Sequence, residues 1–552
     1  MANYQQPHTG GVTGAIWRWF DRSILALGRE FRLSYMPPLM VYAAAGISGM
    51  TAIVGTFFVK ERLGLSAEFL AALGFWAMLP WVLKMPLGHM VDLFWRMKSV
   101  FVYIGAGMIA ASLLIMIALL GNTDAMVAIA PAGVWYIVAA LLAPIGYVVQ
   151  DVVADAMTVE AVPRIDRNGE PIDAARLKSM HTTMQMLGRV AIIAGGILVG
   201  VANVIVLEGV GELPEAEKAA AYLFVYQLAL IIPVISVFGV ILATWLRHRN
   251  IARIVGEGKT RREAIAMVEV HAETPAVNWW ILGGGLAFAV LAISVGLGDF
   301  VAGQEIVFIT SMAIVIFLIT RLTRELEPQA RNVLVGTAII IFAFRAIPGP
   351  GVGSTWWMND ELGFDPQFFA VLSLIAGGLT LFGIVIFRRF MAERSIAYIV
   401  GALTVVGAVL TLPEIGMYYG LHHWTAEMTN GVVDARFIAL IDTAIESPLG
   451  QIAMIPMLAW IANSAPDKLK ATFFAVMASF TNLALSASQL GTKYLNQIFT
   501  IAREVKDPLT NVISVPADYD EFGLLLISAT AIGFAMPMLA IIFVRMSRFR
   551  AA

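Results

Sequence analysis

Asp151 and Asp155 stand four residues apart inside a long apolar run, and Asp442 and Glu446 repeat that spacing inside another. Four residues along a helix return to the same face, about 6 Å further along the axis. A charge at the centre of a bilayer costs at least about 2.5–3.5 kcal/mol on insertion scales, so such groups pair, line a hydrated path or carry protons. Bases are present to meet them. Lys84 is flanked by Pro80 and Pro86, Arg189 lies in the run after Asp155, and Arg345 is followed by Pro348 and Pro350. Proline in a span frees backbone carbonyls and bends the helix. Charged groups beside such breaks commonly line a pathway, although Arg345 also reads as an anchor reaching the outer interface.

Depth suggests the pairing. Asp151 lies about nine residues from the inner end of its segment, and Arg189 about as far into the next, antiparallel one. The two are expected to pair, as a fixed structural bridge or as one that opens when a solute or proton arrives. Asp155, nearer the inner end, is expected to serve a gate with Arg96 or Lys98. In the second set, Thr481 or Asn482 occupies the position that corresponds to Arg189, which leaves Glu446 without a local partner. A lone carboxylate withdrawn from water suits reversible protonation. Glu446 is therefore expected to carry the coupling proton, the alternatives being a hydrated cavity residue or a partner for Lys84 or Arg345. Trp76 and Trp81 suit stacking on a flat ring, whereas Trp356 and Trp357 read as an interfacial aromatic belt.

These side chains must be positioned by membrane helices. Of 552 residues, 59% are hydrophobic and 14% charged, against about 45–50% and about 25% in soluble domains. A span needs roughly 20 apolar residues. Fourteen segments qualify: 37–59, 67–91, 99–120, 131–157, 180–207, 221–246, 278–297, 302–320, 331–350, 366–388, 395–412, 437–463, 469–498 and 522–544. With the N-terminus inside, the inner loops and termini hold 27 of the 37 Lys and Arg, as the positive-inside rule requires. The expectation is a multi-pass protein of an inner or plasma membrane with both termini cytoplasmic.

Several classes are excluded or disfavoured. The net charge of −2 offers no basic surplus for nucleic acid, and the absence of cysteine removes disulfides and thiol chemistry. No cleavable leader is legible at residues 1–11, and no nucleotide-binding fingerprint or catalytic triad stands out. The chain reads as a non-enzyme without cofactor or metal. Residues 16–32 alternate apolar positions with Arg18, Arg22, Arg29 and Arg32. They suggest a helix lying on the inner leaflet, or one packed on the protein's own inner face.

Two halves repeat. Residues 57–65 resemble 356–364 at an offset of 299, and each run ends at a helix start, with Ser66 in one and Asp365 followed by Pro366 in the other. The acid pairs repeat at 291, and Arg176-Leu177-Lys178 and Lys468-Leu469-Lys470 repeat at 292. Two six-helix halves in parallel repeat form the major facilitator plan. The expected divisions are 1–36, a cytoplasmic segment; 37–246, the first half; 247–330, a loop and an inserted two-helix hairpin; and 331–552, the second half. The hairpin carries no Lys or Arg in its two spans and is expected to lie outside the transport pathway. Gly88-His89-Met90-Val91-Asp92, followed by Arg96 and Lys98, resembles the superfamily's cytoplasmic loop signature and marks a gate. Its plainer reading is a short charged turn.

Three further stretches carry a family likeness. Leu79-Pro80-Trp81-Val82-Leu83-Lys84-Met85-Pro86-Leu87-Gly88, Gln150 to Ala156, and Ile455-Pro456-Met457 through Ala465-Pro466 to Asn482 resemble the folate–biopterin transporter family over roughly residues 38–200 and 331–500. That family usually has twelve spans. Muropeptide permeases share the Gln-Asp, Asp motif and can have two additional ones. The resemblance implies proton-coupled uptake of a folate- or pterin-like solute, with Lys84, Trp81, Asp151, Arg345, Asp442 and Asn482 toward the solute. Two alternatives stand beside it: a muropeptide permease-like transporter, and a transporter-derived membrane scaffold without turnover.

Overall fold

The computed structural model describes residues 31–58, 65–163, 172–268, 276–298, 300, 302–457, 470–506 and 513–551. The expected amphipathic segment at 16–32 lies almost wholly outside them. Helices dominate: α1 (Leu33–Phe58), α2 (Ala67–Leu93), α3 (Trp95–Gly121), α4 (Ala132–Ala161), α5 (Ala174–Val206), α6 (Glu217–Gly256), α7 (Trp279–Leu297), α8 (Gly303–Leu322), α9 (Pro328–Arg345), α10 (Pro366–Ile386), α11 (Ile396–Tyr418), α12 (Ala435–Met457), α13 (Lys470–Ile498) and α14 (Phe522–Met546). A two-stranded ribbon, Val505–Lys506 against Ile513–Val515, interrupts the loop before α14.

Twelve helices among the described residues are long and apolar enough to cross a membrane. They coincide with twelve of the fourteen expected segments. The other two, α9 and α13, are helical but more polar, with Arg331 and Arg345 in one and Thr481, Asn482, Gln489 and Lys493 in the other. Local sequence explains the helix starts that the repeat singled out. Ser66 Oγ accepts from the Phe69 amide at 3.1 Å, and Asp365 Oδ1 accepts from the Phe368 amide at 2.8 Å. Each satisfies an amide that has no partner inside its helix.

The first six helices pack mainly on one another, α1 against α4, α5 and α6, and α3 against α4 and α6. Among the later helices, α9 packs on α11, α13 and α14, and α10 on α12. Two seams join the sets, α2 on α13 and α5 on α10. Glycine permits the second: a Cβ at Gly200 would meet the Leu374 backbone at 2.9 Å, and one at Gly377 would meet Ile197 Cγ1 at 2.9 Å.

One end of this double seam is sealed. Gln497 Nε2 donates to Glu68 Oε1 at 2.6 Å, and Arg503 Nη1 donates to the Leu65 carbonyl at 2.8 Å. Phe57 meets Phe369 edge-on at 5.9 Å. Trp356 and Trp357 are buried here, 1% and 3% exposed, against Arg503, Tyr418 and Phe522. They are core residues rather than the expected interfacial belt, because the seam draws both rings inward.

The hairpin α7–α8 lies along the outside of the α2–α13 seam, not between the two sets. The Asn278 amide donates to His89 Nε2 at 2.9 Å, and Gln304 Nε2 donates to the Ala72 carbonyl at 3.0 Å, so α2 is held at both ends. On α13, Lys493 Nζ lies 3.4 Å from Glu305 Oε1, which also accepts from the Tyr494 hydroxyl. Trp76 packs against Gly296 of the hairpin and against Phe75. It therefore faces the hairpin, not a central ligand as the sequence suggested.

Candidate functional site

The break in α2 builds the site. Pro86 has no amide hydrogen, and its ring crowds the carbonyl four residues back, that of Val82. The helix stops at Val82, Leu83 caps the first segment, and a second starts at Lys84. Lys84 Nζ reaches Asp151 Oδ2 at 2.6 Å and Asp155 Oδ2 at 2.8 Å, both on α4. Tyr42 of α1 donates its hydroxyl to Asp155 Oδ1 at 2.6 Å. One ammonium thus meets two carboxylates, and the cluster carries a formal excess of one negative charge. The side chains of Lys84 and Asp151 are 20% and 15% exposed and that of Asp155 41%, so the cluster opens toward solvent on the Asp155 side.

This arrangement corrects the expected pairing. Asp151 pairs with Lys84 instead of Arg189, because the α2 break delivers the ammonium to the α4 face first. Arg189 is exposed and makes no hydrogen bond or ion pair among the described residues, although its charge reaches Asp151 and Tyr42. Asp155 is likewise taken by Lys84 and Tyr42 rather than by Arg96 or Lys98. Lys98 Nζ instead reaches Glu160 Oε1 at 2.6 Å and sits over the Trp95 ring at 4.4 Å. Asp92 and Arg96 each make a polar or electrostatic contact of their own.

The later helices contribute differently. Arg345, at the end of α9, donates from Nε to the Thr481 carbonyl at 3.1 Å and from Nη1 to Met454 Sδ at 3.2 Å. Neither partner is a carboxylate. Asn482 Nδ2 donates across the seam to the Trp81 carbonyl at 3.2 Å. That carbonyl belongs to the last turn of the first α2 segment, where helical partners run out. The backbone of Trp81 is thereby tied to α13, and Asn482 spends a donor on the protein itself.

Asp442 and Glu446 lie on the last turns of the first segment of α12, which ends at Glu446 ahead of Ser447-Pro448. Glu446 has an exposed side chain, and Lys84 and Arg345, the two bases weighed as its partners, both have other partners. Asp442 Oδ1 is buried without a hydrogen-bond partner. A third acid joins them electrostatically: Glu414 of α11 acts on Asp442, and Glu446 acts on Glu414. Glu414 accepts a hydrogen bond from Ser354.

Sequence reasoning missed Tyr42, Ser354 and Glu414. Tyr42 left one signal, a lone hydroxyl-bearing ring amid the small apolar residues of the first span. Glu414 was lost because the eleventh segment was ended at 412, whereas the membrane helix runs on to Tyr418. Among the described residues, no group of three or more His, Asp and Glu is placed to hold a metal.

A cleft of about 400 Å³ lies between α1, α5 and α10, lined by Gly46, Gly49, Ile193, Gly196, Asn203 and Thr380 among others. This is within the range of small-molecule sites, about 300–1,000 Å³. It borders both sets of helices.

Known proteins resemble this chain in sequence and in fold. The model of the BT1 family matches residues 45–548. The folate-biopterin transporter of Synechocystis sp. is 24% identical over 468 residues, which cover 84% of this chain and 75% of that protein. Folate transporter 2 of Plasmodium falciparum is 25% identical over 160 residues, 29% of this chain and 34% of that one. Among solved structures, a peptide transporter POT in complex with sulfate superposes with a TM-score of 0.55 at 15% identity, covering 93% of this chain and 94% of its own. The nucleoside transporter NupG gives 0.52 at 11% identity, covering 93% and 99%. The fold is that of the major facilitators, all-α and polytopic, and the relatives are named transporters rather than enzymes.

Proposed function

The chain belongs to the BT1 family, and on that premise we propose that it is a proton-coupled membrane transporter of a folate- or pterin-like solute. One observation carries the coupling: Lys84 is held between Asp151 and Asp155 at a broken helix. A cluster with one base and two acids accepts a single proton and becomes neutral. Neutrality lowers the cost of carrying it through a closed, dry state. A proton on Asp151 releases Lys84 to Asp155 alone, which loosens α2 from α4. Glu446, with Asp442 and Glu414 beside it, is offered as a second proton site on the later helices.

The solute reading is supported by the names of the relatives and by chemistry. A pterin ring presents its 2-amino group and N3–H side by side, and a carboxylate accepts both in a bidentate pair. Asp442, with one unpartnered oxygen, suits that role. The organisation is proposed as halves 37–246 and 331–552, with α9 and α13 also spanning, both termini cytoplasmic in a cell inner or plasma membrane, and the sealed end outward.

Proteoliposomes test this directly. Uptake of labelled folate or pterin is expected to rise with an inward proton gradient and to collapse when a protonophore is added. Asp151→Asn and Glu446→Gln are each expected to keep solute exchange and to lose gradient-driven accumulation. Accumulation indifferent to both substitutions and to the protonophore would falsify the coupling. Absence of folate and pterin uptake would remove the solute assignment.

A further inference from the structure

We propose that a single buried water molecule closes the break in α2, held by the Val82 carbonyl, Ser479 of α13 and Ser311 of α8 beneath the hairpin. The site goes beyond the transporter reading, since it does not depend on which solute is carried. It gives the hairpin a part in the hinge that presents Lys84.

The carbonyls around the break identify the group in need of a donor. The Trp81 carbonyl accepts from Asn482 at 3.2 Å, and the Leu83 carbonyl accepts from the Leu87 amide at 3.1 Å. Between them, the Val82 carbonyl loses its helical donor, because Pro86 has no amide hydrogen. Ser479 is 1% exposed, and its hydroxyl has no hydrogen-bond partner among the described residues. Val82, Ser479 and Ser311 line one cavity of about 20 Å³ between α2, α7, α8 and α13, whose remaining wall is apolar.

The donors and acceptors match one water. Ser311 donates its hydroxyl hydrogen to the Val307 carbonyl, so its oxygen is left to accept. The Val82 carbonyl also accepts, and Ser479 has its hydroxyl hydrogen to give. A water that donates to Val82 and Ser311 and accepts from Ser479 makes three bonds, the usual number for a buried one, and needs roughly 10–15 Å³. The cavity admits it and is too small for an acyl chain or a solute ring. Facing hydrocarbon, the freed carbonyl would find no donor at all. The hairpin keeps lipid away: a Cβ at Gly285 would meet Pro86 Cβ at 2.5 Å, so α7 lies directly on the break.

Radiolytic hydroxyl-radical labelling of the full-length protein detects bound water, because radicals form on a water beside a shielded side chain. Met85 also lines the cavity and is 5% exposed; Met116 of α3, 3% exposed, is the control. Met85 should be oxidised several-fold faster than Met116. A Cβ at Gly284, in the cavity wall, would stand at ordinary contact distance, 3.5 Å from Ile314 and 3.8 Å from Leu318. Gly284→Ala therefore displaces the water without a clash. It should bring Met85 to the Met116 rate and lower the Tm by about 2 °C or more, and Ser479→Ala should lower the Tm likewise. A dry apolar gap predicts the reverse. Gly284→Ala would then raise the Tm by filling space and favouring helix, and Ser479→Ala by removing an unpaired hydroxyl. Gly283→Ala, in open space on the same helix, controls for helix preference and should not lower the Tm. Met85 labelled no faster than Met116, or a Tm unlowered in Gly284→Ala or in Ser479→Ala, overturns the site.

Discussion

Lys84 is the residue on which most of the interior charge depends. Replacing it by Met leaves Asp151 and Asp155 facing each other with no cation between them. The expected cost is on the order of 2–3 kcal/mol of stability, less than for a fully buried pair because the cluster is partly solvated. Thermal unfolding in detergent should show a clear drop. Lys84→Met combined with Asp151→Asn should recover much of it without restoring driven uptake, and a double variant no more stable than the single one would count against the cluster. Tyr42 acts through Asp155. Its ring lies against Gly188, where an added Cβ would meet Cε2 at 2.9 Å, so Gly188→Ala should displace the hydroxyl. Transport is expected to fall in Gly188→Ala much as in Tyr42→Phe, and full activity in both would dismiss the contact. Residue types and spacing told where charge would concentrate, since apolar spans make each ionisable group conspicuous. They did not tell who pairs with whom. Arg189 sat at a plausible depth for Asp151, but the helix break beside Pro86 delivers Lys84 there instead, a three-dimensional event.

At the scale of elements, the broken α2 and the added hairpin belong together. The second segment of α2 delivers Lys84 inward, while Pro86 packs outward on the hairpin, where a Cβ at Gly285 would meet Pro86 Cβ at 2.5 Å. The hairpin's acid end fastens α13 through Glu305 to Lys493 and Tyr494. Gln304→Ala with Glu305→Ala should therefore loosen the sealed end while leaving the Lys84 cluster intact. The absence of cysteine allows a clean readout: a cysteine introduced at Glu68 should react with a membrane-impermeant maleimide several-fold faster in that background. An unchanged rate would show that the hairpin does not brace the seam. Helix starts were legible to the residue at Ser66 and Asp365, because a capping side chain is a local feature. The stop within α12 was not, because Pro448 was read as one more residue of a continuous apolar run.

For the whole molecule, the basic residues predict orientation. A single cysteine at Val255, exposed near the end of α6, should be labelled only from the cytoplasmic side, and labelling from outside alone would invert the proposed topology. The overall plan was readable because two similar runs of spans, nearly 300 residues apart, leave an imprint that survives divergence. The cleft was not readable, since it is assembled from α1, α5 and α10 and its lining is mostly glycine and small residues without a chemical signature. The two seams differ in one further respect. The α2–α13 seam is overlaid by the hairpin, and the α5–α10 seam relies on glycine-mediated contact between bare helices. On the proposed function, rocking of the two halves would change the protein's outline chiefly on the second flank, so a transport rate that responds to bilayer tension or acyl-chain length is the expected consequence, and a rate indifferent to both would count against it.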